Sequence, residues 1–125
     1  MQARTIQIDA TKLTEELAGF TGSLKRTRHW TRRLLYTSGI EHLASKTGSW
    51  WLVDLIASRQ QSRRLAGQEF QVWTLTVQPD RRASLVCNDG NGRRLLAKTI
   101  ACTDFPLDGI AIWLAGGTLM LPSEY

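Results

Sequence analysis

The 125-residue chain predicts an α+β fold, with three short N-terminal helices packed on one face of a four- to five-stranded antiparallel sheet. Two observations carry this expectation. Apolar residues recur at helical spacing in the first half and alternate with period two from Phe70 onward. The strand-like runs of the second half are joined by short turn signals, which places antiparallel strands beside one another and the helices on one side. A chain of this length suits one domain over 1–125, with residues 1–10 as a flexible arm or edge strand.

Leu13, Leu17 and Phe20 share one face of a helix over about Thr11–Gly19. Asp9 or Thr11 offers its N-cap oxygen, and Gly19 and Gly22 stop it. Leu24–Tyr36 follows with Lys25, Arg26, Arg28, Arg32 and Arg33, no acid, and Trp30 in their midst. Its threonines and aromatics allow a strand, and its periodicity equally allows irregular structure. Thr37 or Ser38 can cap a short helix that Gly48 closes, and Ser38 and Glu41 have the spacing of a capping box. Ser49 can cap the next helix, Trp50–Ala57, which is apolar on most sides and belongs in a core, across the sheet. Asp54 is its one charge, and a neighbouring arginine is the natural partner for it.

Leu65–Glu69 turns the chain into its β half. Phe70–Val77 and Ala83–Asn88 read as strands around a Pro79–Arg82 turn. Asp89-Gly90-Asn91-Gly92 is a hairpin signal, since these residues tolerate positive φ; it lacks the ligand spacing of a calcium loop. Arg93–Ala101 is the third strand, Thr103–Gly109 a loop, and Ile110–Leu114 with Thr118–Leu121 a last hairpin.

Sixteen Lys and Arg against eleven Asp and Glu give a net charge of +5. The charge is uneven: beyond Lys98 there are three acids and no base. No apolar run approaches the ~20 residues of a membrane span. Asp9, Glu15 and Glu16 spoil a signal peptide, so a cytoplasmic protein is expected. Cys87 and Cys102 match no zinc spacing and read as reduced thiols. No catalytic, metal or cofactor motif stands out.

The runs Trp50–Ser58, Phe70–Val77, Asp89–Gly92, Thr103–Leu107 and the terminal Leu121-Pro122-Ser123-Glu124-Tyr125 together resemble an uncharacterised bacterial family, a domain of unknown function met in genomes, plasmids and phages. The resemblance covers about Thr11–Tyr125. It implies a small cytoplasmic protein often carried on mobile DNA, and brings no activity or catalytic residues.

Binding residues are therefore sought in charge and aromatics: Lys25, Arg26, Arg28, Trp30, Arg32 and Arg33, with Arg81 and Arg82 as a second basic group. Guanidinium forks suit carboxylates and phosphates, and an indole among them suits a base or a protein hot spot. The expected function is a non-enzymatic binding protein of mobile-element type, an inhibitor of a host defence complex such as a CRISPR-type nuclease. The partner is an acidic protein surface or a protein–nucleic acid complex. Direct nucleic-acid binding is the alternative. A small enzyme using Cys87 or Cys102 with His29 or His42 is the third reading, and weak homodimerisation stays open.

Overall fold

The computed structural model describes residues 9–21 and 25–125. Of the arm or edge strand expected at residues 1–10, residues 1–8 lie outside the described residues, as does the helix stop expected at Gly22, while Asp9 and Ala10 belong to the start of a helix. Helix α1 (Ala10–Ala18) begins at Asp9, whose carboxylate accepts the Thr11 and Lys12 N–H groups. The basic segment is a hairpin of β1 (Arg26–Arg28) and β2 (Leu35–Thr37), followed by α2 (Ser38–Thr47) and α3 (Trp50–Arg59). The β half contains β3 (Phe70–Val77), β4 (Ala83–Asn88), β5 (Arg94–Ile100), β6 (Gly109–Ala115) and β7 (Thr118–Met120), then a 3-10 turn at Pro122–Glu124.

The strands form one sheet in the order β1-β2-β7-β6-β3-β4-β5. Every neighbouring pair is antiparallel except β2 and β7. The fold is thus α+β, with three N-terminal helices and a mixed, mostly antiparallel sheet. The sheet has seven strands, more than the four or five expected. The additions are β1 and β2, three residues each. Strands so short display no period, and β2 finds its parallel partner near the other end of the chain.

Period two along β3 puts Trp73, Leu75 and Val77 on the buried side, level with Leu85 and Cys87 of β4 and Ile112 of β6. These close one core with Leu13 and Leu17 of α1, Ile40 and Leu43 of α2, and Leu52, Val53 and Ile56 of α3. The opposite face of the central strands is open: Val72, Thr74, Val86 and Ala111 are only half-buried. At one end of it Phe70, Trp113 and Tyr125 meet edge to face, with centroids 5.3 to 5.9 Å apart.

The capping expectations change in detail. Of the two N-cap candidates Thr37 and Ser38, Thr37 caps α2, its hydroxyl accepting the Ile40 N–H at 3.3 Å. With Thr37 at the N-cap, Glu41 lies one residue beyond the capping-box position, and it faces Lys25 at 3.6 Å. Ser49 makes no cap bond to α3 and instead shares a 2.6 Å hydrogen bond with Thr47. The carboxylate at the start of α2 comes from the far end of the chain. Glu124 accepts the Thr37 hydroxyl at 2.7 Å, the Leu121 N–H at 2.9 Å and the Gly39 N–H at 3.1 Å. Negative charge there suits the helix dipole.

A second carboxylate ties α1 to α2: Glu16 lies 2.8 Å from His42 Nε2. The hydrogen bond from His42 holds the Glu16 carboxyl below the ordinary glutamate range, with nearby Lys46 adding to the effect against a smaller desolvation. A carboxyl that binds its proton less readily when folded stabilises the fold above its unfolded value, about pH 4.3. That contribution is lost as the pH falls through the lower folded value. Glu16→Gln should therefore flatten the decline of Tm below about pH 4.3, and parallel declines for variant and wild type would contradict the assignment.

Candidate interaction site on the β1–β2 hairpin

Register in the hairpin pairs Arg26 with Thr37 and Arg28 with Leu35. Strand alternation then sets Arg26 and Arg28 on one side, both exposed. The connecting loop is closed by backbone bonds from His29 N–H to Leu34 and from Arg32 N–H to His29. Arg32 takes φ 65° to complete the reversal, a conformation that bulky L-residues seldom adopt.

His29 organises the loop from within, its side chain 1% exposed. Its Nδ1 accepts the Thr31 N–H at 3.2 Å and lies 2.8 Å from the Thr31 hydroxyl, which accepts the Arg33 N–H at 3.3 Å. Because a backbone N–H points at Nδ1, the ring proton of the neutral imidazole belongs on Nε2. Nε2 then donates to Asp54 Oδ1 at 2.7 Å. The same oxygen accepts Trp30 Nε1–H at 3.0 Å. The partners of Asp54 are thus a histidine and an indole, not the arginine expected from sequence. Beneath them Tyr36 stacks edge-on against Trp50, with centroids 5.3 Å apart, carrying the hairpin onto α3. Burial and the Glu41 carboxylate push the Tyr36 phenol up, so it remains neutral.

Trp30 is held at one edge yet 76% exposed. Its ring sits 5.4 Å from His29, tilted by 35°. Arg26, Arg28, Arg32 and Arg33 surround it in sequence and are all exposed. Among the described residues, none of these four arginines is in an ion pair. The result is a hairpin that carries a fixed indole and four exposed guanidinium groups without ion pairs.

The other residues singled out in the sequence lie elsewhere or are engaged. Lys25 is paired with Glu41. Arg81, at φ 71°, donates through its guanidinium to the carbonyls of Thr103 and Phe105, latching the loop before β6. Arg82 pairs with Asp80 at 2.9 Å. Both sit at the β3–β4 turn. In sheet order β4 lies five strands from β1, roughly 24 Å at the usual strand spacing. The two basic groups are therefore separate.

The histidines and cysteines are not brought together either. His29 is engaged by Thr31 and Asp54, and His42 by Glu16. Both thiols are free. Cys102 is exposed and lines an open cleft of about 670 Å³ beside Trp51, Arg81 and Asp104. Burial pushes the Cys87 thiol up to about 12. Folded protein should thus take up iodoacetamide at Cys102 alone at neutral pH, as read by intact and peptide mass spectrometry; labelling of Cys87 before unfolding would contradict its burial. Among the described residues, no three His, Cys, Asp or Glu side chains are grouped to hold a metal ion, and no helix is long and apolar enough to cross a membrane.

Fold and site together define a small α+β domain displaying an aromatic and basic surface. The chain belongs to a family of unknown function, DUF6876, which it matches over residues 11–125. No curated protein and no solved structure matches it.

Proposed function

We propose that the protein is a non-enzymatic binding module that docks on an acidic protein surface through Trp30 and the arginines around it. The observation that carries this reading is the indole of Trp30, exposed to solvent yet fixed by Asp54. Trp and Arg are the residues enriched at interface hot spots. A side chain held before association loses less freedom on binding, which spares about 0.5–1.5 kcal/mol for a rotamer-rich group. The unpaired guanidiniums steer an acidic partner and give directional bonds to its carboxylates.

A protein partner is favoured over nucleic acid by the layout of charge. A polyanion is best tracked by an extended basic stripe with several stacking rings. Here one exposed indole and four arginines are concentrated in one hairpin, and Arg81 and Arg82 are remote and engaged. In its finer form the proposal is a mobile-element inhibitor that occludes a larger defence complex, of which a CRISPR-type nuclease is one class. The test is charge reversal: Arg32→Glu/Arg33→Glu abolishes partner capture with Tm unchanged. A fluorescence-anisotropy titration with labelled oligonucleotides at low salt separates the alternatives, since direct nucleic-acid binding gives an affinity falling steeply with salt.

A further inference from the structure

We infer that the open face of the sheet is a contact between two copies of this chain, packed sheet against sheet about a two-fold axis. This goes beyond the hairpin reading and does not depend on it. Three observations support a second copy as the occupant.

The first is charge. The chain carries +5, so two copies repel each other wherever their basic surfaces meet. The centre of the open face avoids this: Val72, Thr74, Val86, Thr99 and Ala111 are uncharged, and ionic groups stand at its rim, with Arg94 at one end, the Asp80–Arg82 pair at the other, and Arg26 and Arg28 on the same face at the β1 edge. An uncharged centre with a polar rim is the anatomy of a protein interface. Neither an acidic nor a basic partner gains anything from such a centre, whereas a second identical face is neutral toward it.

The second is shape. The side chains over β4 and β5 are small, while Phe70, Trp113 and Tyr125 rise together at the β3–β6 side, with Tyr125 76% exposed. A two-fold axis along the strands and between the sheets lays the aromatic rise of each copy toward the low side of the other.

The third is area. Five strands about 4.8 Å apart and about 20 Å long give a footprint of roughly 500 Å² per copy. Two copies together cover about 1,000 Å², the threshold for a specific interface. Trp30 is tied to Asp54 on α3, on the helix side of the sheet. A dimer through the opposite face therefore leaves both Trp30 indoles on the outward, helix-bearing sides, a bivalent arrangement, with Arg26 and Arg28 at the edge of the contact.

Sedimentation equilibrium of the full chain over a concentration series tests the inference. The expected result is association to twice the chain mass, persisting at high salt because the contact is uncharged. Val86→Arg and Thr74→Arg should each weaken dimerisation at least about tenfold, since a buried unpaired charge is strongly disfavoured. Circular dichroism and cooperative unfolding identify the folded variants. A wild-type chain that stays monomeric throughout, a dimer that salt dissociates, or folded arginine variants that dimerise as tightly as wild type would each overturn it. The wild-type concentration and salt series decides even if a variant does not fold.

Discussion

Glu124→Ala is expected to lower the unfolding free energy by about 3 kcal/mol, with the urea midpoint falling and its slope unchanged. The carboxylate is buried and accepts from Thr37, Gly39 and Leu121. Truncation leaves the Gly39 and Leu121 N–H groups without that acceptor in a buried setting, at about 1–3 kcal/mol for each unsatisfied donor. It also removes negative charge from the start of α2, worth a further few tenths to about 1 kcal/mol. Glu124→Gln should fall between the two, keeping an acceptor oxygen but no charge. Gly39 is part of the same device, because a Cβ there would overlap the Glu124 carboxylate and come within 2.8 Å of Leu121 Cδ1. Gly39→Ala should therefore be destabilising alone and add little to Glu124→Ala, the signature of coupled neighbours in a double-mutant cycle. A Glu124→Ala protein within about 0.5 kcal/mol of wild type would show that the C-terminal turn does not hold α2.

Trp30→Ala has the opposite profile. The indole is mostly exposed and its one hydrogen bond lies at the surface, so Tm should hardly move. Affinity for the partner should fall by about 2 kcal/mol or more, roughly thirtyfold, as for central interface tryptophans. Asp54→Ala should affect both properties. It frees the indole and leaves the Nε2–H of buried His29 without its acceptor, at about 1–3 kcal/mol. Stability separates the two roles: a ring that merely sealed the loop would cost Tm when removed and leave binding intact.

The β half was largely legible because its signals are local. The expected strands Phe70–Val77 and Ala83–Asn88 match β3 and β4, and β5 and β6 differ from expectation by a residue at each end. The hairpin at Asp89–Gly92 follows from the same chemistry: Gly90 and Gly92 take φ near +90°, and the Asp89 side chain accepts the Asn91 and Arg93 N–H groups. What sequence leaves open is set by distant partners. Arg26-Thr27-Arg28 becomes a strand through its pairing with Leu35–Thr37, and that strand through β7. Nothing near Asp54 marks His29 as its partner, because the bond spans 25 residues. Glu124 lies 85 residues from Gly39 along the chain, so only the fold reveals why a glycine stands at the start of α2. The candidate site was legible as composition, an indole among arginines without acids. Its geometry was not, since the same residues suit a sealed core tryptophan with solvated arginines equally well.

The central claim is that Trp30 and its arginines hold another protein, and differential capture tests it most directly. Immobilised wild type, Trp30→Ala and Arg32→Glu/Arg33→Glu are exposed to one nuclease-treated extract of the native host, and the retained proteins are identified and quantified. The expected result is an acidic protein retained by wild type, released by salt, and lost from both variants while all three baits remain folded. The same proteins bound equally by the three baits, or retention that vanishes on nuclease treatment, would contradict it.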